Sequence, residues 1–226
     1  MKYLYVAYLF IFLSMASFPV QQAFAQSSHR TASCPQPGAP EISVSVGQGR
    51  TRHFSSHNSA QITQEKKRRY RNTSGQIQGS MSQADIVADV EIEHQLFTPQ
   101  GCAAITRINI HAVLNHRVDI ASEFSQGSCM YNELFDLESE LIIFDTGIFN
   151  RNIRNIERQL RSELSSRSII GPTSSGRISS LAAETVEEWR QMLAQRIKSI
   201  EGRMVAERKD VDDPMIFQHI KRDCGV

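Results

Sequence analysis

The hydrophobic pattern of this chain changes its period once, near Cys129, and this change limits the folds open to it. Before Cys129, apolar and polar residues alternate, as in strands that are buried on one face. After Cys129, apolar residues recur every three or four positions, as on one face of a helix. The order predicts an α+β fold, with an antiparallel sheet of a few strands followed by two long amphipathic helices that form an antiparallel hairpin.

The strands are predicted from alternation. Residues 41–46 and 85–97 each place apolar side chains on one face and polar or acidic side chains on the other. Residues 102–129 are interpreted as a hairpin with a polar three-residue loop at Asn115, His116 and Arg117. A loop of three residues is selected because it keeps the apolar side chains of both strands on one face of the sheet.

Two apolar stripes predict the helices. The first runs from Leu134 to Leu164 and ends before the Gly/Pro/Ser segment at 171–176. The second runs from Ala182 to Met204 and ends at Asp212-Asp213-Pro214. A short break between two long helices favours an antiparallel hairpin.

The first 25 residues have the pattern of a secretory signal peptide: an early lysine, an apolar run and Ala23-Phe24-Ala25 at the cleavage site. Cleavage would leave no transmembrane segment and place the protein in the periplasm or outside the cell. The predicted organisation after cleavage is a flexible N-terminal segment, 26–40, and one α+β domain, 41–226. That domain divides into mostly strands and loops at 41–128, the helical hairpin at 129–208 and a tethered tail at 209–226.

Four cysteines, an even number in an exported chain, predict two disulfides. The hairpin described above would bring Cys102 and Cys129 together at its open end. By elimination, Cys34 would pair with Cys224 and tie the N-terminal segment to the tail.

Global charge gives no reason to expect an anionic partner, because 25 basic residues face 24 acidic ones. One local run stands out in a polar region and is interpreted as a solvated loop or edge; the alternative is contact with an anionic surface. There is no strong signal for nucleic-acid binding. The basic side chains of the run are Lys66, Lys67, Arg68, Arg69 and Arg71.

The order of an apolar strand, Gly-Ser-Cys-Met-Tyr at 127–131, and a long helix with a glutamate resembles the secreted zinc-dependent protease-like proteins of bacteria. In that family the helix carries His-Glu-x-x-His, in which two histidines bind zinc and the glutamate is the general base. The resemblance covers about residues 102–164. It places the ligand positions on Leu137 and Leu141 and the base position on Glu138. Leucine has no donor atom, so the resemblance implies a degenerate member, and Glu138 is expected to be a solvated helix residue.

These observations predict an exported, non-catalytic protein with a protease-like fold and no metal or cofactor, which binds an unidentified protein or envelope component. The alternative is a divergent zinc-dependent metallopeptidase that uses Glu138 as its base with non-standard ligands. His53 and His57 have the spacing of a zinc pair, but they lie in a polar stretch without the glutamate and are interpreted as loop histidines.

Overall fold

The structure is a computed structural model that describes residues 33–70, 76–208 and 215–226. The predicted signal peptide lies outside these residues, and the domain boundaries stay a prediction. The strands are β1 (Glu41–Phe54), β2 (Ser80–Phe97), β3 (Cys102–Ile120) and β4 (Ile169–Ile170). The α-helices are α1 (Ser59–Tyr70), α2 (Cys129–Arg167), α3 (Ile178–Arg208) and α4 (Ile216–Asp223), and a 3-10 helix spans Thr98–Gln100.

The α+β class is confirmed, but the sheet is mixed and not antiparallel. Its strand order is β1-β3-β2, and β4 pairs with β3 beside this path. Strand β2 is antiparallel to β3, whereas β1 is parallel to β3. In this register Ile42 and Ile92 both pair with Ile108, and all three side chains are buried in the same core. Burial of one apolar face therefore sets the register of both neighbouring strands.

The predicted turn at Asn115, His116 and Arg117 is wrong, because β3 continues through it to Ile120. His116 points to the buried face together with its neighbours two positions away, so the period of two is unbroken. The polar side chains on either side of it point to the other face. The hairpin lies one strand earlier, where the 3-10 helix and Gly101, with a φ of 64°, join β2 to β3.

Two long helices cover one face of the sheet. Helix α2 is continuous over 39 residues, and α3 has 31, so the two predicted stripes do form helices. No helix in the described ranges is long and apolar enough to cross a membrane. The shared core contains side chains of the sheet and of both helices, among them Ile108, Ile110, Leu114, Ile148, Leu160, Leu193 and Ile197.

Helix α3 also covers the free edge of β2. The guanidinium of Arg190 donates to the carbonyl oxygen of Val90 at 3.2 Å, and the backbone N–H of Ile86 donates to Glu201 at 2.8 Å. Farther along, Arg208 donates to the carbonyl oxygen of Ser82 at 2.9 Å. These bonds satisfy edge groups that would otherwise be available to another strand.

The opposite face of the sheet is exposed to solvent along most of its length. On β3, Arg107, His111 and Arg117 alternate with buried core residues. On β2, the alternation of wet and buried positions agrees with the predicted half-buried strand, and Val87 is 56% exposed. Helix α1 packs near one end, where its apolar side chain Ile62 joins a cluster with Met81.

Two disulfides are present, as predicted, but their pairing is not. Cys34 bonds to Cys102 and Cys129 bonds to Cys224, with Cα–Cα distances of 5.6 and 5.7 Å. The predicted Cys102–Cys129 bond fails because β3 does not turn back. A strand of its length separates its ends by roughly 60 Å, far more than a disulfide can span. The elimination that paired Cys34 with Cys224 fails with it.

The start of α2 gives a stability prediction. Ser128 is the N-cap, and its hydroxyl oxygen accepts a bond from the backbone N–H of Tyr131 at 3.2 Å. We expect Ser128→Ala to destabilise the fold by about 1 kcal/mol, because one N–H of the first turn loses its acceptor. The matched control is Ser162→Ala at an exposed position inside the same helix. Equal urea unfolding midpoints for the two variants would contradict the capping role.

Candidate functional site

Two adjoining depressions lie where the sheet meets the C-terminal half of α1. The arginine cavity, of about 580 Å³, is lined chiefly by Arg50, Arg52, Phe54, Arg69, Gln83 and Arg117. The glutamine cleft, of about 440 Å³, is lined chiefly by His57, Gln64, Arg68, Gln83, Arg117 and Asp119. Gln83 and Arg117 belong to both, so the two depressions are continuous at these side chains.

Strand register builds the arginine cavity. Arg52 of β1 and Gln83 of β2 both pair with Arg117 of β3, which sets the three in one row across the sheet. Neighbours in such a row are about 4.8 Å apart at the backbone. The register of β1 shifts between Gln48 and Thr51, and this bulge sets the direction of the Arg52 end of the strand. From α1, Arg69 donates to the Gln83 amide oxygen at 3.4 Å and closes the cavity.

The cavity has an excess of positive charge. None of the described residues places a carboxylate oxygen within 4.0 Å of Arg50, Arg52 or Arg69. Moreover, the Nε atom of Arg69 is buried and has no hydrogen-bond partner in the described part of the chain. Arg117 lies over the ring of Phe54, 4.1 Å from its centroid, which fixes its guanidinium by a cation–π contact.

The acidic residues at the rim of the cavity already have a cationic partner. Asp85 and Glu201 both accept from the ammonium group of Lys198, at 3.3 and 2.6 Å. These two carboxylates and the hydrogen bonds to them raise the pKa of Lys198, against an opposing effect of burial. The hydrogen bond to Glu201 is the largest of these effects. One ammonium charge offsets one of the two carboxylates, so the three arginines exceed the remaining carboxylate charge by two.

A histidine and a buried aspartate form the inner wall of the glutamine cleft. The Nδ1 atom of His57 is 2.5 Å from the Oδ2 atom of Asp119, whose side chain is 3% exposed. An ionised carboxylate only accepts hydrogen bonds, so Nδ1 donates and the other ring nitrogen is left as an acceptor when the ring is neutral. The second oxygen of Asp119, Oδ1, is buried without a hydrogen-bond partner among the described residues.

Sequence reasoning missed this pair. His57 is a loop residue as interpreted, whereas His53 belongs to β1. The contact of His57 with Asp119 was missed because the two residues lie 62 positions apart in the chain. The available signal was Asp119, an acidic residue between two apolar ones at the end of a strand.

The predicted basic run does not form a single patch. Lys66 is 3% exposed and donates to Gln78, whereas Lys67 and Arg68 are exposed. Only Arg69 lines the arginine cavity, and Arg71 lies outside the described residues. Successive side chains of a helix point about 100° apart, so a run of charges in sequence is divided among its faces.

Sequence reasoning also missed the other arginines of the cavity. Arg50 and Arg52 lie beyond the predicted strand at 41–46, but they belong to β1, which continues to Phe54. Arg117 was assigned to a turn and belongs to β3. Their convergence depends on long-range strand pairing.

Glu138 is not the solvated helix residue that was expected. Its side chain is buried, and its carboxylate accepts from the hydroxyls of Ser80 at 2.8 Å and Ser82 at 2.5 Å. Its position lies between Leu134 and Leu141 on the buried stripe of α2, which explains the burial. Leu141 is also buried, and Leu137 is partly buried.

Glu138 belongs to a buried charge cluster with Asp145 and Arg208. The Arg208 guanidinium binds Asp145 in a two-pronged contact, with both N–O distances 2.9 Å, and it also donates to Ser82. Burial lowers the pKa of Arg208, but Tyr70, Asp145 and Glu138 together outweigh it and the pKa is raised. The cluster therefore keeps its positive charge.

The buried charge cluster is interpreted as structural, because its charged side chains are each no more than 4% exposed. His116 lies at its edge, with Nε2 3.5 Å from an Asp145 oxygen. Within the described ranges, no group of three or more His, Cys, Asp and Glu side chains is arranged to hold a metal ion.

Comparison with known proteins adds no relative. No family model matches the chain, and no curated protein or solved structure matches it significantly. The resemblance to zinc-dependent protease-like proteins therefore stays a prediction.

Proposed function

We propose that this chain is an exported, non-catalytic binding protein that holds a phosphate group of another envelope component in the arginine cavity. The observation that carries this proposal is the convergence of Arg50, Arg52 and Arg69 without a carboxylate partner among the described residues. Guanidinium groups match phosphate oxygens in a two-pronged geometry and stay charged at every physiological pH. A phosphate would also accept from the buried Nε atom of Arg69.

The lining favours a single phosphate group over a nucleic-acid strand. Proteins that bind single strands combine a basic groove with several aromatic side chains on which bases stack. Phe54 is the one Phe, Tyr or Trp side chain among the described residues that line the cavity, and the guanidinium of Arg117 already lies over its ring. The net charge of +1 also gives no long-range attraction to a polyanion.

The peptidase alternative receives less support from the geometry. A general base must reach a water molecule beside the substrate. The Glu138 carboxylate is 1% exposed and already accepts from two serine hydroxyls. We therefore favour binding over peptide hydrolysis.

The two disulfides fit an envelope protein, because they suit an oxidising compartment and so support export.

We also infer that α2 and α3 form the antiparallel hairpin and act as a rigid support for the sheet. This is supported by cross-helix contacts whose positions fall along α2 as they rise along α3: Glu163 with Arg196, Asn152 with Arg203, and Arg151 with Glu207.

The test is calorimetric titration with inorganic phosphate at low and high salt. We expect Arg52→Gln to weaken phosphate binding by about ten- to a hundredfold, the range for losing one hydrogen-bonded charge contact. Added salt should weaken binding to the unmodified protein, because the contact is electrostatic.

The matched control is Arg154→Gln, which removes the same charge from an exposed position of α2 outside the cavity. It should bind phosphate like the unmodified protein. Equal affinity of Arg52→Gln and Arg154→Gln, or no binding of phosphate by the unmodified protein at low salt, would refute the proposal.

A further inference from the structure

We propose that the arginine cavity and the glutamine cleft form one site for a phosphorylated sugar, whose phosphate lies in the cavity and whose hydroxyls lie in the cleft. This inference rests on the proposed function and adds the chemical class of the ligand. It is supported by the continuity of the two depressions, by their different charge and by two buried atoms that have no hydrogen-bond partner among the described residues.

The continuity comes from Gln83 and Arg117, which line both depressions. The volumes of both depressions lie within the range of small-molecule sites, about 300–1,000 Å³. A ligand held by the arginines can therefore extend over Gln83 into the cleft without leaving the surface of the protein.

The charge differs between the two parts. In the cleft, Arg68 is paired with Glu65 at 2.7 Å, and Arg117 lies 3.4 Å from a carboxylate oxygen of Asp119. Its cations are thus compensated, and a second phosphate would meet two carboxylates. The cavity also has two carboxylates at its rim, but both contact Lys198, and its three arginines have no carboxylate oxygen within 4.0 Å among the described residues. This asymmetry fits a ligand with one anionic end and one neutral, polar end.

The side chains of the cleft suit hydroxyl groups. Each glutamine amide both donates and accepts hydrogen bonds, as each hydroxyl does. Gln64 is exposed and makes no hydrogen bond to the described residues, so its amide is available to a ligand. The Gln61 amide oxygen, by comparison, already accepts from the backbone of Asn58 at the start of α1.

The two unpartnered buried atoms have opposite polarity, and each suits its part of the ligand. Arg69 Nε, beside the cavity, is a donor, and phosphate oxygens accept. Asp119 Oδ1, beside the cleft, is an acceptor, and a sugar hydroxyl donates. Asp119 is 2% exposed, so the fold holds this acceptor in place. A buried acceptor without a partner is unfavourable, and a hydroxyl ligand would relieve it.

The experiment compares inorganic phosphate with the 1-phosphates of glucose, galactose and mannose by calorimetric titration at low salt. We expect at least one sugar phosphate to bind about tenfold more tightly than phosphate, through added hydrogen bonds in the cleft. Gln64→Ala should remove the tighter binding of the sugar phosphate and leave the affinity for inorganic phosphate unchanged. Arg52→Gln should lower the affinity for both ligands. Gln195→Ala, at an exposed position of α3, is the matched control and should change neither affinity.

A phosphomannan, in competition with free mannose 1-phosphate, identifies the source of the ligand. Tighter binding of the polymer would assign the site to an envelope glycan, and tighter binding of the free sugar phosphate to a soluble metabolite; both support the inference. If phosphate binds but no sugar phosphate binds more tightly, the inference fails and the proposed function stands. If phosphate itself does not bind, the proposed function fails.

Discussion

Arg208→Leu is expected to destabilise the fold by about 3–5 kcal/mol, the range for removing one partner of a buried ion pair. The guanidinium is the positive charge that contacts Asp145 directly and offsets Glu138, and both carboxylates are 1% exposed. Its loss also removes one of two side-chain donors to the carbonyl oxygen of Ser82 at this edge of the sheet; the other is the hydroxyl of Tyr70. Urea unfolding followed by circular dichroism measures the effect.

The control is Arg203→Leu on the same helix, at an exposed position where the guanidinium donates to Asn152. It should change the free energy of unfolding by less than about 0.5 kcal/mol. A second comparison separates charge from packing: adding Asp145→Leu to Arg208→Leu should restore part of the loss, since an apolar replacement of both partners avoids the unpaired charge. If Arg208→Leu and Arg203→Leu unfold at the same urea concentration, the cluster does not stabilise the fold.

The helices and half of the sheet could be predicted because they depend on local periodicity. The stripes of α2 and α3 and the alternation of β2 are visible within windows of a dozen residues. The same periodicity misled at Glu138. Glu138 lies within the apolar stripe from Leu134 to Leu141, which faces the core. It was nevertheless assigned to the solvent-exposed face, because the sequence does not show which side chains would bind a buried carboxylate.

The partners of buried polar residues are remote in sequence, and this is why the rest could not be predicted. Glu138 accepts from serines at least 56 positions away, and Asp145 contacts an arginine 63 positions away. His116 was assigned to a turn because it lies between two other polar residues, but it faces the core, with Nε2 3.5 Å from an Asp145 oxygen. That one assignment produced the wrong hairpin and, through it, the wrong disulfides.

The candidate site shows the same limit. Arg52, Arg117 and Gln83 share one row only because β1 and β2 both pair with β3 in a given register. Charge counting along the chain found the basic run in α1, where the charges are adjacent in sequence. It could not find a cavity whose lining side chains come from three strands and two helices.

The disulfides give the second large expected effect. Replacing Cys129 and Cys224 together with alanine should destabilise the fold by about 4 kcal/mol, from the entropy of the freed loop. The bond closes a sequence separation of 95 residues and holds the eight-residue α4 to the start of α2. A helix this short is not stable alone in water. Phe217 and Ile220 of α4 pack with Met130 and Leu134, so the chain-end helix depends on both the bond and this cluster.

The control is the pair Cys34→Ala with Cys102→Ala, which removes a bond of sequence separation 68 at the other end of β3. The two closed loops do not overlap, so the losses of free energy should add when all four cysteines are replaced. Amide hydrogen exchange distinguishes the bonds: exchange in α4 should accelerate when Cys129 and Cys224 are replaced and stay unchanged when Cys34 and Cys102 are replaced. Non-reducing peptide mapping that linked Cys102 to Cys129 would contradict the pairing, because β3 would then have to turn back near His116 and could not hold Arg117 beside Arg52 and Gln83.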